Sequence, residues 1–113
     1  MTNETRGHVL ADRADVADTS AKRRTGLLKH TGLEPGEGLW IVPCESVHTF
    51  FMKFQIDVLF LDKKRKVRKI RPSMKKWRIA GSMFAHSVLE LPAGTAERTG
   101  TQKGDQLQLE KYE

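Results

Sequence analysis

The sequence predicts an α+β domain, mainly antiparallel β, built as a small barrel-like sheet with one or two short helices. Three observations lead there. First, the stretch from His48 to Leu61 alternates at a period of two. His48, Phe50, Met52, Phe54, Ile56, Val58 and Phe60 share one face, and Thr49, Phe51, Lys53, Gln55, Asp57, Leu59 and Leu61 share the other. One wholly apolar face marks a strand lying on a core. Second, short apolar runs recur along the chain, bounded by Gly, Pro and polar clusters, which gives seven or so strands. Third, only two stretches have helical composition, so helices do not alternate with strands and a doubly wound sheet is excluded.

At 113 residues the chain is expected to form one domain. Residues 1–7 are polar and read as a disordered tail ahead of a single globular unit over 8–113. His8 to Ala11 opens a short strand, with Val16 closing the same region. Asp18, Thr19 and Ser20 are three candidate N-caps for a helix of about three turns running through Arg23 and Arg24 to Leu27 and Leu28. Gly32 and residues 34–38 form a loop, and Leu39 to Val42 a strand stopped by Pro43. The central stretch is too long for one strand, so a bend is expected at Lys53 to Gln55. Its mixed face, carrying Lys53 and Asp57, suits a lumen, a cleft or a partner surface.

After a turn at Asp62 to Arg65, Lys66 to Ile70 reads as a basic strand and Arg71-Pro72-Ser73 as irregular. Trp77, Ile79 and Ala80 form a short strand or a surface loop. Ser87 to Leu91 alternates, with Ser87, Leu89 and Leu91 on one face and Val88 and Glu90 on the other. Ala93 to Thr99 supplies one or two helical turns ending at Gly100. Gln106 to Glu110 is a last strand with Leu107 and Leu109 inward.

Charge is distributed unevenly. The net charge is +6, yet residues 63–78 hold ten of the twenty Lys and Arg and no acid, leaving ten basic against fourteen acidic residues elsewhere. Such asymmetry points to a partner of opposite sign. Lys63, Lys64, Arg65, Lys66, Arg68, Lys69, Arg71, Lys75 and Lys76 are the candidate polyanion contacts, with Trp77 placed to stack on a base. Because these charges fall on a hairpin and its exit loop, the expectation is a solvated strand edge with weak, non-specific polyanion binding that does not depend on Trp77. One cysteine excludes an internal disulfide framework. No segment approaches a membrane span, so the chain is expected to be soluble and cytoplasmic, without membrane contact.

Two acids, Asp57 and Glu90, interrupt apolar strands and must be paired or solvated. Together with His48, Met52, Lys53 and Arg78 they define a candidate cleft. Cys44, His48 and Met52 recur every four residues, but on a straight strand each step spans about 13 Å, so no metal site is expected. Cys44 reads as a small core residue and not as a nucleophile. No cofactor is expected.

The order of several segments resembles domain-of-unknown-function family 192. These are Leu39-Trp40-Ile41-Val42-Pro43-Cys44, Val47-His48-Thr49-Phe50, Met52, Ile56-Asp57-Val58 and Phe60-Leu61-Asp62, flanked by Arg24-Thr25-Gly26-Leu27, Val88 to Thr95 and Gly104-Asp105. Phe51, Gln55 and Arg65 depart from that pattern, which has a glycine, a proline and a turn glycine there. The resemblance implies a compact, largely β domain with helical excursions and supplies no reaction. Three functional readings follow. The first is a non-enzymatic cytoplasmic binding or accessory module with a small cleft beside the central strands. The second is nucleic-acid binding through residues 63–78. The third is a small-substrate enzyme using His48, Asp57 and Glu90.

Overall fold

A computed structural model describes residues 1–27 and 30–109. Its centre is a five-stranded sheet made of β3 (Arg13–Ala17), β4 (Glu37–Ile41), β9 (Ser87–Pro92), β6 (Ile56–Leu61) and β7 (Val67–Met74), in that spatial order. β3 and β4 are parallel and the other neighbours antiparallel. The sheet stays open at β3 and β7, so the barrel-like closure expected from the sequence does not occur, while the mainly antiparallel α+β class holds.

Both faces of this sheet are covered, which explains the hydrophobic composition of β6 and β9. On one face Ile56, Val58, Phe60 and Val88 pack with Leu39, Ile41, Met74, Leu27, Met52 and Ala80. On the other, Leu59, Leu61, Leu89 and Leu91 pack with Val67, Met1, Leu10 and Leu107. The mixed face of the central stretch is therefore a second core, not a lumen. Every residue of β6 is buried, including Asp57. Phe50, expected in the core, is only half-buried, because the chain has already turned away from the sheet there.

The second core is closed by a small sheet of β1 (Thr2–Asn3), β2 (His8–Val9) and β10 (Leu107–Gln108), in the order β10-β1-β2. The first residues are thus not a free tail. Met1 and Asn3 are buried, and the Asn3 amide donates to Asp105 Oδ2 at 3.0 Å and to Thr101 Oγ1 at 3.1 Å. Polar composition concealed this, since the buried polar group is satisfied by residues about a hundred positions away. The first core is closed by Leu27, just after α1 (Ser20–Thr25), and by a ribbon of β5 (Ser46–His48) and β8 (Ile79–Gly81), which adds Ala80. Thr19 caps α1 by accepting from the Lys22 N–H at 3.2 Å. The helix ends at Gly26, whose φ of 48° lies outside the right-handed helical region, so it is shorter than the expected three turns. Leu28 and Glu110, both included in sequence-predicted elements, lie outside the described residues.

The bend expected at 53–55 separates β5 from β6. Strand β7 runs through Arg71, Pro72 and Ser73, which were expected to be irregular. It does so as an edge strand, where proline costs no ladder bond. α2 (Thr95–Thr99) follows β9. No helix among the described residues is long and apolar enough to cross a membrane.

Candidate functional site

The pairing around β9 determines where the two strand acids point. Glu90 sits between Leu39 of β4 and Val58 of β6, whereas Asp57 sits opposite Leu91. The two carboxylates therefore project from opposite faces of one sheet.

Asp57 faces the α2 side and is fully used there. Its Oδ1 accepts from the backbone N–H of Ser73 at 2.7 Å and of Gly94 at 3.1 Å, and its Oδ2 accepts from Ala96 N–H at 2.8 Å. These bonds tie β6, β7 and the start of α2 together, and Gly94 itself offers the helix no side-chain cap. Asp57 is thus paired, with backbone donors, as an acid inside an apolar strand has to be when water is excluded.

Glu90 faces the other way, into a cleft of about 530 Å³ bounded by α1, the β4–β5 connection and the end of β5. Arg23, Arg24, Cys44, His48 and Met52 line it with Glu90. Glu90 is 95% buried, and no hydrogen bond or ion pair holds its carboxyl among the described residues. Burial alone raises its pKa to about 7, since removing water penalises the charged form. Cys44 is half-buried and its thiol donates to the Ser46 carbonyl at 3.1 Å. Burial pushes the thiol pKa up, leaving it a poor nucleophile at neutral pH.

Of the six residues predicted for the cleft, His48, Met52 and Glu90 line it. Lys53 and Arg78 are exposed elsewhere, and Asp57 is on the opposite face. The trio His48, Asp57 and Glu90 is not assembled, so no catalytic arrangement uses it. Arg23 and Cys44 are cleft residues that sequence reasoning missed. Arg23 was read only as part of a helix, and Cys44 was assigned to the core because it follows Pro43 in an apolar run.

The predicted polyanion contacts divide by location. Lys63, Lys64, Lys66 and Arg68 are exposed near the start of β7, and Lys75, Lys76 and Trp77 are exposed beyond its end. Arg65 and Arg71 are half-buried. Lys69 is committed to the fold, with Nζ donating to Gly81 O at 2.6 Å and lying 5.7 Å from the centroid of the Phe60 ring.

Comparison with known proteins places this architecture. A "UPF0127 protein" of Thermococcus sibiricus is 33% identical over 122 residues, covering 100% of this chain and 76% of the relative. One from Thermococcus gammatolerans is 32% identical over 111 residues, covering 93% and 71%. A crystal structure of a protein of unknown function from Novosphingobium aromaticivorans shares the fold with a TM-score of 0.85 at 24% identity, over 95% of this chain and 81% of that one. A Sinorhizobium meliloti structure, described as a candidate transcription regulator, superposes with a TM-score of 0.78 at 25% identity, over 84% and 79%. The profile of domain-of-unknown-function family 192, described as "Uncharacterized ACR", matches residues 1–109. With nearly its whole length matched in this way, the chain belongs to domain-of-unknown-function family 192.

Proposed function

We propose that the protein is a non-enzymatic cytoplasmic binding module that holds a small polar molecule in the cleft above Glu90. The observation that carries this reading is the Glu90 carboxyl itself. It is 95% buried, unpartnered among the described residues and directed into a cleft that solvent can enter. A buried carboxyl without a hydrogen bond is unfavourable for folding by itself, and a ligand bearing a donor relieves that penalty on binding. Arg23 and Arg24 add positive charge to the same lining. The fitting ligand class is therefore a small molecule with a cationic or N–H end for Glu90 and an anionic end for the arginines. A lone group with pKa near 7 and no oriented acid–base partner favours recognition over proton transfer.

The test uses ω-amino acids of increasing length, from glycine to 6-aminohexanoate, with their amine-only and carboxylate-only analogues. Binding is read from NMR shifts of residues 23, 44, 48 and 90 and from protection of Cys44 against iodoacetamide. One chain length should bind best and protect Cys44, and Glu90→Gln should weaken it at least about tenfold. Loss of a charge-assisted bond of ~1.5–3 kcal/mol predicts that size of effect. If no member of the series moves these resonances, or if Glu90→Gln binds equally well, the cleft is not the site.

A further inference from the structure

The molecule carries a second feature, a cluster of rings that adjoins the cleft at His48. Four rings stand in contact across two turns. His48 lies 5.0 Å from Phe50, Phe50 lies 5.6 Å from Trp77, and Phe51 meets Trp77 edge-on at 4.9 Å. Phe51 is 70% exposed and Trp77 56% exposed, so neither ring gains much from burial. Both residues also occupy the left-handed backbone region, with φ of 65° at Phe51 and 60° at Trp77. For bulky side chains that conformation is unfavourable.

The two turns are held in register by Thr49, which is buried. Its hydroxyl donates to Lys75 O at 2.6 Å and accepts from Arg78 N–H at 2.8 Å, and its carbonyl accepts from the N–H groups of Met52 and Trp77. The rings are therefore positioned by the backbone before any partner arrives.

Charge identifies the partner. Neither 46–56 nor 63–89 contains an acid, and the second segment holds ten Lys and Arg. Lys75, Lys76 and Arg78 are exposed around Trp77. Edge strand β7 leads from this turn to a second exposed cluster, Lys64, Lys66 and Arg68. Its eight residues separate the clusters by about 25 Å. Two exposed cation clusters joined by an edge strand, with partly exposed rings beside one of them, match a chain that presents phosphates along its length and unpaired bases for stacking. A duplex offers no base faces for the rings to stack on.

We infer that this surface, from the Phe51–Trp77 pair along the outer side of β7, binds single-stranded nucleic acid without strong sequence preference. Binding combines stacking on Trp77 and Phe51 with phosphate contacts from Lys75, Lys76, Lys66 and Arg68. Trp77 thereby takes the base-stacking role for which the basic segment made it a candidate, and binding depends on it, contrary to the expectation from the sequence.

The test is fluorescence anisotropy of labelled 12-mers of oligo(U) and oligo(dT), a 12-bp duplex, and phosphatidylserine vesicles, with the full chain at two salt concentrations. The single strands should bind best, with affinity falling on a log–log salt slope of about −0.7 per contacted phosphate. Trp77→Ala should weaken binding about 5- to 150-fold at unchanged slope. Lys75→Ala with Lys76→Ala should reduce the slope by about 1.4. Phe51→Gly should weaken binding while the chain unfolds at an equal or higher denaturant concentration, which separates lost recognition from lost structure. Equal binding by Trp77→Ala, preference for the duplex, or binding to the vesicles alone would overturn the inference. The last result would assign the surface to an anionic membrane.

Discussion

At the scale of single residues, two acids with the same local setting have opposite fates. Asp57 and Glu90 are each flanked by aliphatic residues in a buried strand, yet Asp57 receives three backbone N–H groups and Glu90 none. The consequence for Glu90 is a folded-state pKa of about 7, above the ordinary value of 4.5. The folded protein therefore binds the extra proton between those values, and stability is greatest at low pH within this window and declines as pH rises through about 7. Glu90→Gln removes the charged state. The variant should be more stable than the wild type at pH 8, by up to about 3 kcal/mol, and within about 1 kcal/mol of it at pH 5. Urea unfolding at the two pH values checks this, and parallel pH profiles for the two proteins would exclude a penalty at Glu90. Phe51 and Arg65, two departures from the family pattern at expected glycines, both have positive φ, at 65° and 62°. Each turn holds a non-glycine residue in the left-handed region, so the strain lies in the backbone.

At the scale of elements, α2 depends on a residue that is not part of it. The helix has five residues and is N-capped by Gly94, which contributes no side-chain bond, so its first turn is held by Asp57 from β6. Asp57→Ala leaves the Gly94, Ala96 and Ser73 N–H groups without their acceptor, and it should destabilise the protein by about 3 kcal/mol or more. Hydrogen exchange should show these amides losing protection before the amides of β4 and β9. A loss below about 1 kcal/mol would mean that water replaces the carboxylate. α1 is capped locally by Thr19, and for that reason its start was legible in the sequence. The cap of α2 was not, because it comes from 37 or more residues away.

At the scale of the whole molecule, the N-terminus and the C-terminal region close one core together. Asp105 accepts from Arg6 Nε at 2.9 Å and from the Asn3 amide at 3.0 Å. Burial alone raises the pKa of Asp105, but the hydrogen bonds from Arg6, Asn3 and the Gln102 backbone outweigh it and hold the pKa below its ordinary value. This arrangement is stabilising above the ordinary carboxylate range and is lost as pH falls through the lowered value. Removing residues 1–7 would uncover Leu10 and Leu107 and delete the bonds to Asp105. The truncated chain should melt at least about 8 °C lower, as expected for a loss of ~2 kcal/mol or more in a domain of this size. An unchanged melting temperature would show that β1 contributes nothing to the core.

The sequence by itself determined the fold class, most strand positions, the start of α1 to within the three capping candidates Asp18, Thr19 and Ser20, the Gly100 helix end and the concentration of basic charge in 63–78. Each of these rests on local composition or on periodicity, which neighbours along the chain fully express. Tertiary structure alone decided which side of the central sheet each acid faces. Period two separates two faces but does not say what covers them, and here both are covered by apolar side chains. It also decided that Arg23, Cys44 and His48 meet Glu90 in one cleft, since the pairing of β4 with β9 brings together residues some fifty positions apart. The exposed contact of Phe51 with Trp77 belongs to the same category, because it exists only where Thr49 joins two turns that the chain makes separately.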